Sequence, residues 1–170
     1  MASPAGSAKA CRSYTTKADM SPMIWKPNVT VAAVIEQDSK FLLVEEHTSQ
    51  GLKLNQPAGH LEANESLLHA VVREAREESA YDIEPQHLVG IYQWHAEKSG
   101  TTYLRLAYSG RILAHHAGQA LDEGIVRAVW MTLDEIRSSI DRHRSPLILR
   151  CVEDYLAGKC YPLELVTHYD

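Results

Sequence analysis

The chain has 170 residues, 45% of them hydrophobic, and a net charge of −5, which suits one core in a single domain. That charge, with no Lys/Arg run, argues against nucleic-acid binding by a basic surface, and no apolar stretch approaches a membrane span. Cys11, Cys151 and Cys160 are scattered, odd in number and without C-x-x-C spacing, so they read as free thiols of a reducing, cytoplasmic compartment. Residues 1–22 are rich in Ser, Ala, Thr and Lys with no apolar period; they are expected to be a disordered extension ahead of one domain over 23–170. An extension preceding a start at Met20 or Met23 fits better than a transit peptide, because Arg12 is its only arginine and no amphipathic pattern shows.

From Asn28 onward Val29, Val31, Ala33 and Ile35 alternate as a strand, Asp38-Ser39 marks a turn, and Phe41 to Val44 return as a second strand. A loop at Ser49-Gln50-Gly51 leads into a short segment over 52–56, then through Pro57 to Gly59. The next run is helical. Leu67, Leu68, Val71, Val72 and Ala75 supply an apolar face, with Asn64 or Ser66 as N-cap. Residues 88–96 and 103–108 read as strands around a Lys98-Ser99-Gly100 turn, and 125–131 as another. Thr132-Leu133-Asp134-Glu135 is a capping-box pattern opening a short helix. Ser145-Pro146 opens the last helix, with Ser145 as N-cap, and Gly158 closes it. This order gives the α+β class.

Glu74, Glu77 and Glu78 stand three and four residues apart near the end of the first helix, so their carboxylates share one face. Like charges at that spacing repel, and a divalent ion reverses the sign, since Mg²⁺ or Mn²⁺ requires gathered hard oxygen ligands. Taken alone, the cluster reads at least as well as the solvated face of an amphipathic helix.

The upstream context weighs against that plainer reading. Gly59, Glu65, Arg73, Glu74, Glu77 and Glu78, with Ala75 in a small aliphatic slot, fall on a spacing that resembles the Nudix box. One departure is Ala80, followed by Tyr81, where the family usually has Gly and then an aliphatic residue. If the left-handed helix exit is kept, Ala80 costs about 1 kcal/mol there. The segment 56–62 (QPAGHLE), Gln93-Trp94-His95, Arg144-Ser145-Pro146-Leu147 and Tyr161-Pro162-Leu163-Glu164 are similar to the NudJ-like subgroup of bacterial Nudix hydrolases. The resemblance runs from about Trp25 to about Val166.

The resemblance implies a Nudix fold, a mixed β-sheet in an α/β/α sandwich. It implies Mg²⁺ (or Mn²⁺) held by Glu74, Glu77 and Glu78 with the Gly59 carbonyl, and Glu65 and Arg73 bracing the box. It also implies phosphatase action on nucleoside di- and triphosphates and on thiamine-related pyrophosphates, namely thiamine pyrophosphate and hydroxymethylpyrimidine pyrophosphate. The general base stays open among Glu77, Glu78 and Glu123, the last in the Asp122-Glu123-Gly124 loop. Tyr92, Trp94 and Tyr103 are candidates to stack on a heterocycle, with sheet packing the commoner role for such residues. His60 is a candidate to face the site, and Arg105 and Lys98 to meet phosphates. A dinucleotide or nucleotide-sugar pyrophosphatase of ADP-ribose type is the alternative, and a non-catalytic ligand-binding module is weaker because all three acids are present. Monomer and homodimer both remain open.

Overall fold

A computed structural model describes residues 24–169; the expected extension over 1–22 lies outside the described residues. Eight strands and three α-helices follow the chain as β1 (Asn28–Val34), β2 (Glu36–Gln37), β3 (Lys40–Thr48), β4 (Gly51–Asn55), β5 (Ala58–His60), α1 (Leu67–Ser79), β6 (Tyr81–Ala96), β7 (Thr101–His115), β8 (Ile125–Thr132), α2 (Leu133–Ser138) and α3 (Leu147–Leu156). One sheet has the order β5-β1-β7-β6, with β1 and β7 parallel and the other pairs antiparallel. In the second, β3 pairs antiparallel with β2, β4 and β8. The α+β class and the mixed sheet between helices are therefore present, with the strands divided over two sheets.

Strand β1 shows why two helical layers are needed. Its side chains alternate between faces. Val31 and Ala33 join one core with Ala70, Val71 and Ala75 of α1, while Ala32 and Val34 join another with Ile136 of α2 and Ile148, Cys151 and Val152 of α3. All four β1 residues are fully buried, as a strand covered on both sides must be. The turn between β2 and β3 has positive φ at both Asp38 and Ser39, the backbone of a two-residue hairpin whose twist matches its strands.

Two local expectations needed revision and one open alternative is resolved. The strands read as 88–96 and 103–108 run much further, over 81–96 and 101–115. Pro85 would normally argue against a strand, but β6 lies at the sheet edge and bulges flank Pro85, so no ladder donor is missed. Ser66 is the α1 N-cap, its hydroxyl accepting from His69 N–H at 3.1 Å. Ser145 does not cap α3 with its side chain. Its carbonyl accepts the Ile148 N–H, and its hydroxyl is buried without a partner.

The departure at Ala80 leaves the helix exit intact. Ala80 adopts φ 60, ψ 20 and donates its N–H to Arg76 O, so a non-glycine residue carries the left-handed strain of about 1 kcal/mol. The loop after β7 helps hold that end. His116 N–H bonds Ala80 O, the Gln119 amide bonds Arg76 O, and Asp122 N–H bonds Glu77 O. Carbonyls that a helix end leaves without partners are thus satisfied by a distant loop, which is thereby brought beside the α1 acids.

Candidate active site

The box residues assemble around Arg73. Its guanidinium donates to both oxygens of Glu65, at 2.8 and 3.0 Å, in a two-pronged pairing. It also donates to Glu74 at 2.7 Å, to Glu77 at 2.9 Å and to the His60 carbonyl at 3.1 Å. One arginine therefore ties the loop before α1 to the helix and stands between two of the three acids. Hydrogen bonds from Arg73 hold the Glu65 carboxyl below its ordinary range, and those to Glu65 above all hold the Arg73 proton more firmly than usual.

Glu74 and Glu78 are driven the other way. Burial raises the Glu74 carboxyl against the opposing pull of Arg73. Burial pushes Glu78 up to about 8, although its carboxylate accepts the Ala58 N–H at 2.8 Å. Glu77 is more exposed. Gly59 packs directly beneath Glu74: a Cβ built there would lie 2.2 Å from Glu74 Oε1. The absence of a side chain is what lets β5 pass under the carboxylate.

These groups line one wall of a cleft of about 1350 Å³. Asp122 and Glu123 line it too, and of the two it is Asp122 whose charge bears on both Glu74 and Glu78. Sequence reasoning favoured Glu123 and passed over its neighbour, since nothing in the chain before folding shows that Asp122 is anchored to the Glu77 carbonyl. Trp94 and Tyr103 face each other across β6 and β7 and stack with ring centroids 5.7 Å apart. Tyr103 also meets His60 at 6.5 Å. Trp94, Tyr103, His60, Lys98 and Arg105 all line the cleft. Tyr92 does not; its hydroxyl donates to Asp154 at 3.0 Å and its ring packs against the α3 core, so it takes the packing role.

Arg105 is buried at the cleft floor, donating to Gln56 Oε1 at 3.2 Å and Asn55 Oδ1 at 3.4 Å. Across from α1, Glu46 is buried with one carboxylate oxygen paired to Arg144. Gln56 and Arg144 entered the sequence reading only through the NudJ-like resemblance, and Asn55 and Glu46 carried no functional signal, because the four meet only through sheet pairing and the approach of residues 142–147.

The donor set fits a hard divalent cation. It consists of carboxylate oxygens and a glycine carbonyl, with no soft ligand, and it crowds acids whose burial disfavours their charge. Among the described residues no three acids form a ready-made cage, because Arg73 draws Glu74 and Glu77 while Glu78 turns to Ala58. Among the described residues, too, no helix is long and apolar enough to cross a membrane.

Comparison with known proteins identifies the family. A NUDIX domain model matches residues 26–151. Phosphatase NudJ of Escherichia coli strain K12 is 37% identical over 147 residues, covering 86% of this chain and 95% of its own. A solved NUDIX hydrolase from Nitrosomonas europaea is 53% identical with a TM-score of 0.83, covering 85% of this chain and 98% of that one. An ADP-ribose pyrophosphatase from Streptococcus suis, 23% identical with a TM-score of 0.59 over 85% of this chain and 97% of its own, shares the fold.

Proposed function

The chain belongs to the Nudix family and is a NudJ-like hydrolase, and from that premise we propose that it is a phosphatase dependent on Mg²⁺ or Mn²⁺. In this reading water attacks phosphorus of a small-molecule diphosphate and inorganic phosphate leaves. The substrates are nucleoside di- and triphosphates and thiamine-related pyrophosphates, among them thiamine pyrophosphate and hydroxymethylpyrimidine pyrophosphate. The observation that carries the reading is the convergence of Gly59, Glu74, Glu77 and Glu78 on one cleft wall, with two of the acids desolvated.

Glu74, Glu77, Glu78 and the Gly59 carbonyl would hold the ion, which when bound polarises phosphoryl oxygens and makes water more acidic. Arg73 orients Glu74 and Glu77, and Glu65 fixes Arg73 in turn, so both act as positioning residues. The proton of the attacking water goes to a carboxylate: Glu77 or Glu78 in the box, or Asp122 or Glu123 from the loop docked on α1. Trp94 and Tyr103 form the platform for the organic end of the substrate. Arg105 receives negative charge at the floor.

The test is direct phosphate release with Mg²⁺ from GDP, GTP, thiamine pyrophosphate, hydroxymethylpyrimidine pyrophosphate and ADP-ribose, with and without a phosphatase specific for monoester products. Direct release from the first four is the expected result. Phosphate seen only after secondary treatment, chiefly from ADP-ribose, would replace this reading with a dinucleotide-type pyrophosphatase. Silence with Mg²⁺ and with Mn²⁺ would count against it and favour a binding module.

A further inference from the structure

Among the described residues four buried side-chain oxygens have no hydrogen-bond partner, and three of them, Thr30 Oγ1, Glu46 Oε1 and Ser145 Oγ, belong to residues that line the cleft, just beneath its surface. Buried polar atoms are nearly always satisfied, so orphans gathered on one surface mark where a bound group belongs. These three come from separate places: β1, β3 and the approach to α3. None has a role in the metal wall.

Arg105 shares their floor. Thr30 and Arg105 are register partners on the parallel strands β1 and β7, so their side chains leave the same face of the sheet. Among the described residues Arg105 has no carboxylate at ion-pair distance; its contacts are two amide oxygens, at 3.2 and 3.4 Å. A guanidinium carries five N–H donors and is rarely buried without an anion. Burial lowers its proton affinity here, as expected for a charge left short of compensation. The charges that bear on it include Arg144, Glu78 and Glu46.

The floor is closed behind Arg105. Ile148 and Cys151 of α3 are fully buried. Gln56 bonds Ile148 O at 2.9 Å through its amide nitrogen while its oxygen accepts from Arg105. The pocket end is therefore rigid and offers no path onward for a second organic group.

We propose that Arg105, Thr30 and Ser145 form a subsite for the terminal phosphoryl group of the substrate, an inference that rests on the hydrolase reading above and sets which end of the substrate enters. A terminal phosphoryl presents three free oxygens to a guanidinium and two hydroxyl donors. A bridging phosphate presents two, and carries beyond them a substituent that the closed floor refuses. Glu46 Oε1 can only accept when ionised, so it takes a hydrogen bond from a protonated phosphoryl oxygen or a hydrating water, with Arg144 holding its other oxygen. Release of inorganic phosphate follows from this seating, because the phosphoryl at the floor lies beside Glu78 and its neighbours.

The test uses the full chain and the near-isosteric double variant Thr30→Val with Ser145→Ala, which leaves Arg105 and the box untouched. Two readouts are taken with Mg²⁺: KM and kcat for phosphate release from GDP, and orthophosphate binding followed by ³¹P NMR. The expected result is a KM for GDP raised at least about a hundredfold, from losing two hydrogen bonds to a charged group. Orthophosphate binding should weaken to a similar degree, with an unchanged thermal midpoint. Restoring the hydroxyl with Thr30→Ser in the same background should recover part of both. Unchanged KM and unchanged orthophosphate affinity would overturn the subsite. If the unaltered chain releases no phosphate directly from any substrate, the phosphatase reading fails by itself. The orthophosphate titration then decides the subsite: loss in the double variant upholds it, and equal binding overturns it.

Discussion

Gly59→Ala should separate catalysis from stability. The added Cβ would meet Glu74 Oε1, Cδ and Oε2 at 2.2, 2.3 and 2.4 Å. All three atoms lie at the end of a flexible side chain, and Gly59 has no positive φ, so the backbone tolerates alanine and the carboxylate must move. Moving it breaks the 2.7 Å hydrogen bond from Arg73, a loss of about 1.5–3 kcal/mol for a charged pair. Release of a desolvated carboxylate to water offsets part of that cost, because burial already disfavours its charge. Arg73 keeps Glu65 and Glu77. The net cost should be about 1 kcal/mol, a midpoint shift of about 2–4 °C for a domain of this size. If Glu74 holds the metal as proposed, displacing its carboxylate by more than an ångström should lower turnover roughly a hundredfold. Phosphate release and thermal melting on the same sample measure both effects. Turnover within threefold of the unaltered chain would refute the placement of Glu74 in the reaction.

Glu77→Gln and Glu78→Gln should each lower turnover strongly with the fold retained by circular dichroism; unchanged turnover at saturating Mg²⁺ would remove that residue from the site. Asp122→Asn and Glu123→Gln, compared by turnover, should show the larger loss at Asp122, the acid whose charge reaches Glu74 and Glu78; the reverse order would restore Glu123 as the loop acid. Chelation should abolish phosphate release reversibly without unfolding the chain, and Mg²⁺ at about a hundred times its Kd should then add about 2.7 kcal/mol of stability in urea titrations. Glu45 is buried and paired with Arg127 and Arg142, and the Arg127 hydrogen bond foremost holds its carboxyl below the ordinary 4.5. Its contribution is therefore full above about pH 4.5 and lost as pH falls through the lower folded value, so the urea midpoints of the unaltered chain and Glu45→Gln should differ at pH 7 and converge in acid.

What could be read before folding divides along the distance between interacting residues. The acids, Arg73, Glu65 and Gly59 lie within twenty residues, and the resemblance of their spacing to the Nudix box was enough to bring them together on a helix and the turn before it. The same locality made α1 and the Thr132–Glu135 capping box legible, the latter present with both of its hydrogen bonds. Ala80 was the local exception: its left-handed geometry is held by the Arg76 carbonyl and by the loop over 116–122, a long-range contact that sequence spacing does not record. Replacing it with Gly should change stability by less than about 1 kcal/mol, because relief of left-handed strain is opposed by chain entropy and a lost buried methyl. Ala80→Val should cost more than about 2 kcal/mol, since β-branching worsens the strain the alanine already carries.

On the opposite wall Arg105 was legible as a phosphate candidate and Ser145 through the NudJ-like resemblance, but their assembly was not, for the same physical reason. Thr30, Glu46, Arg105 and Ser145 are spread over 116 positions of the chain and meet only where two sheets and the start of α3 converge. Each alone has an ordinary explanation: a strand threonine, an ion-paired glutamate, a helix-capping serine. The structure withdraws the cap, since Ser145 does not cap with its hydroxyl, and leaves the other two incomplete: Thr30 sits in β1 with its hydroxyl unbonded, and Glu46 pairs with Arg144 through one oxygen only. Acid clustering on one helix can serve any diphosphate, and it is a local feature that sequence can carry. Choosing which phosphoryl enters requires a floor of fixed depth, which only packing between distant elements can build. The double variant at Thr30 and Ser145 therefore tests more than two hydroxyls. If orthophosphate still binds as tightly without them, depth and closure at Arg105 do not select the phosphoryl end, and the choice must lie with the aromatic pair at the cleft mouth.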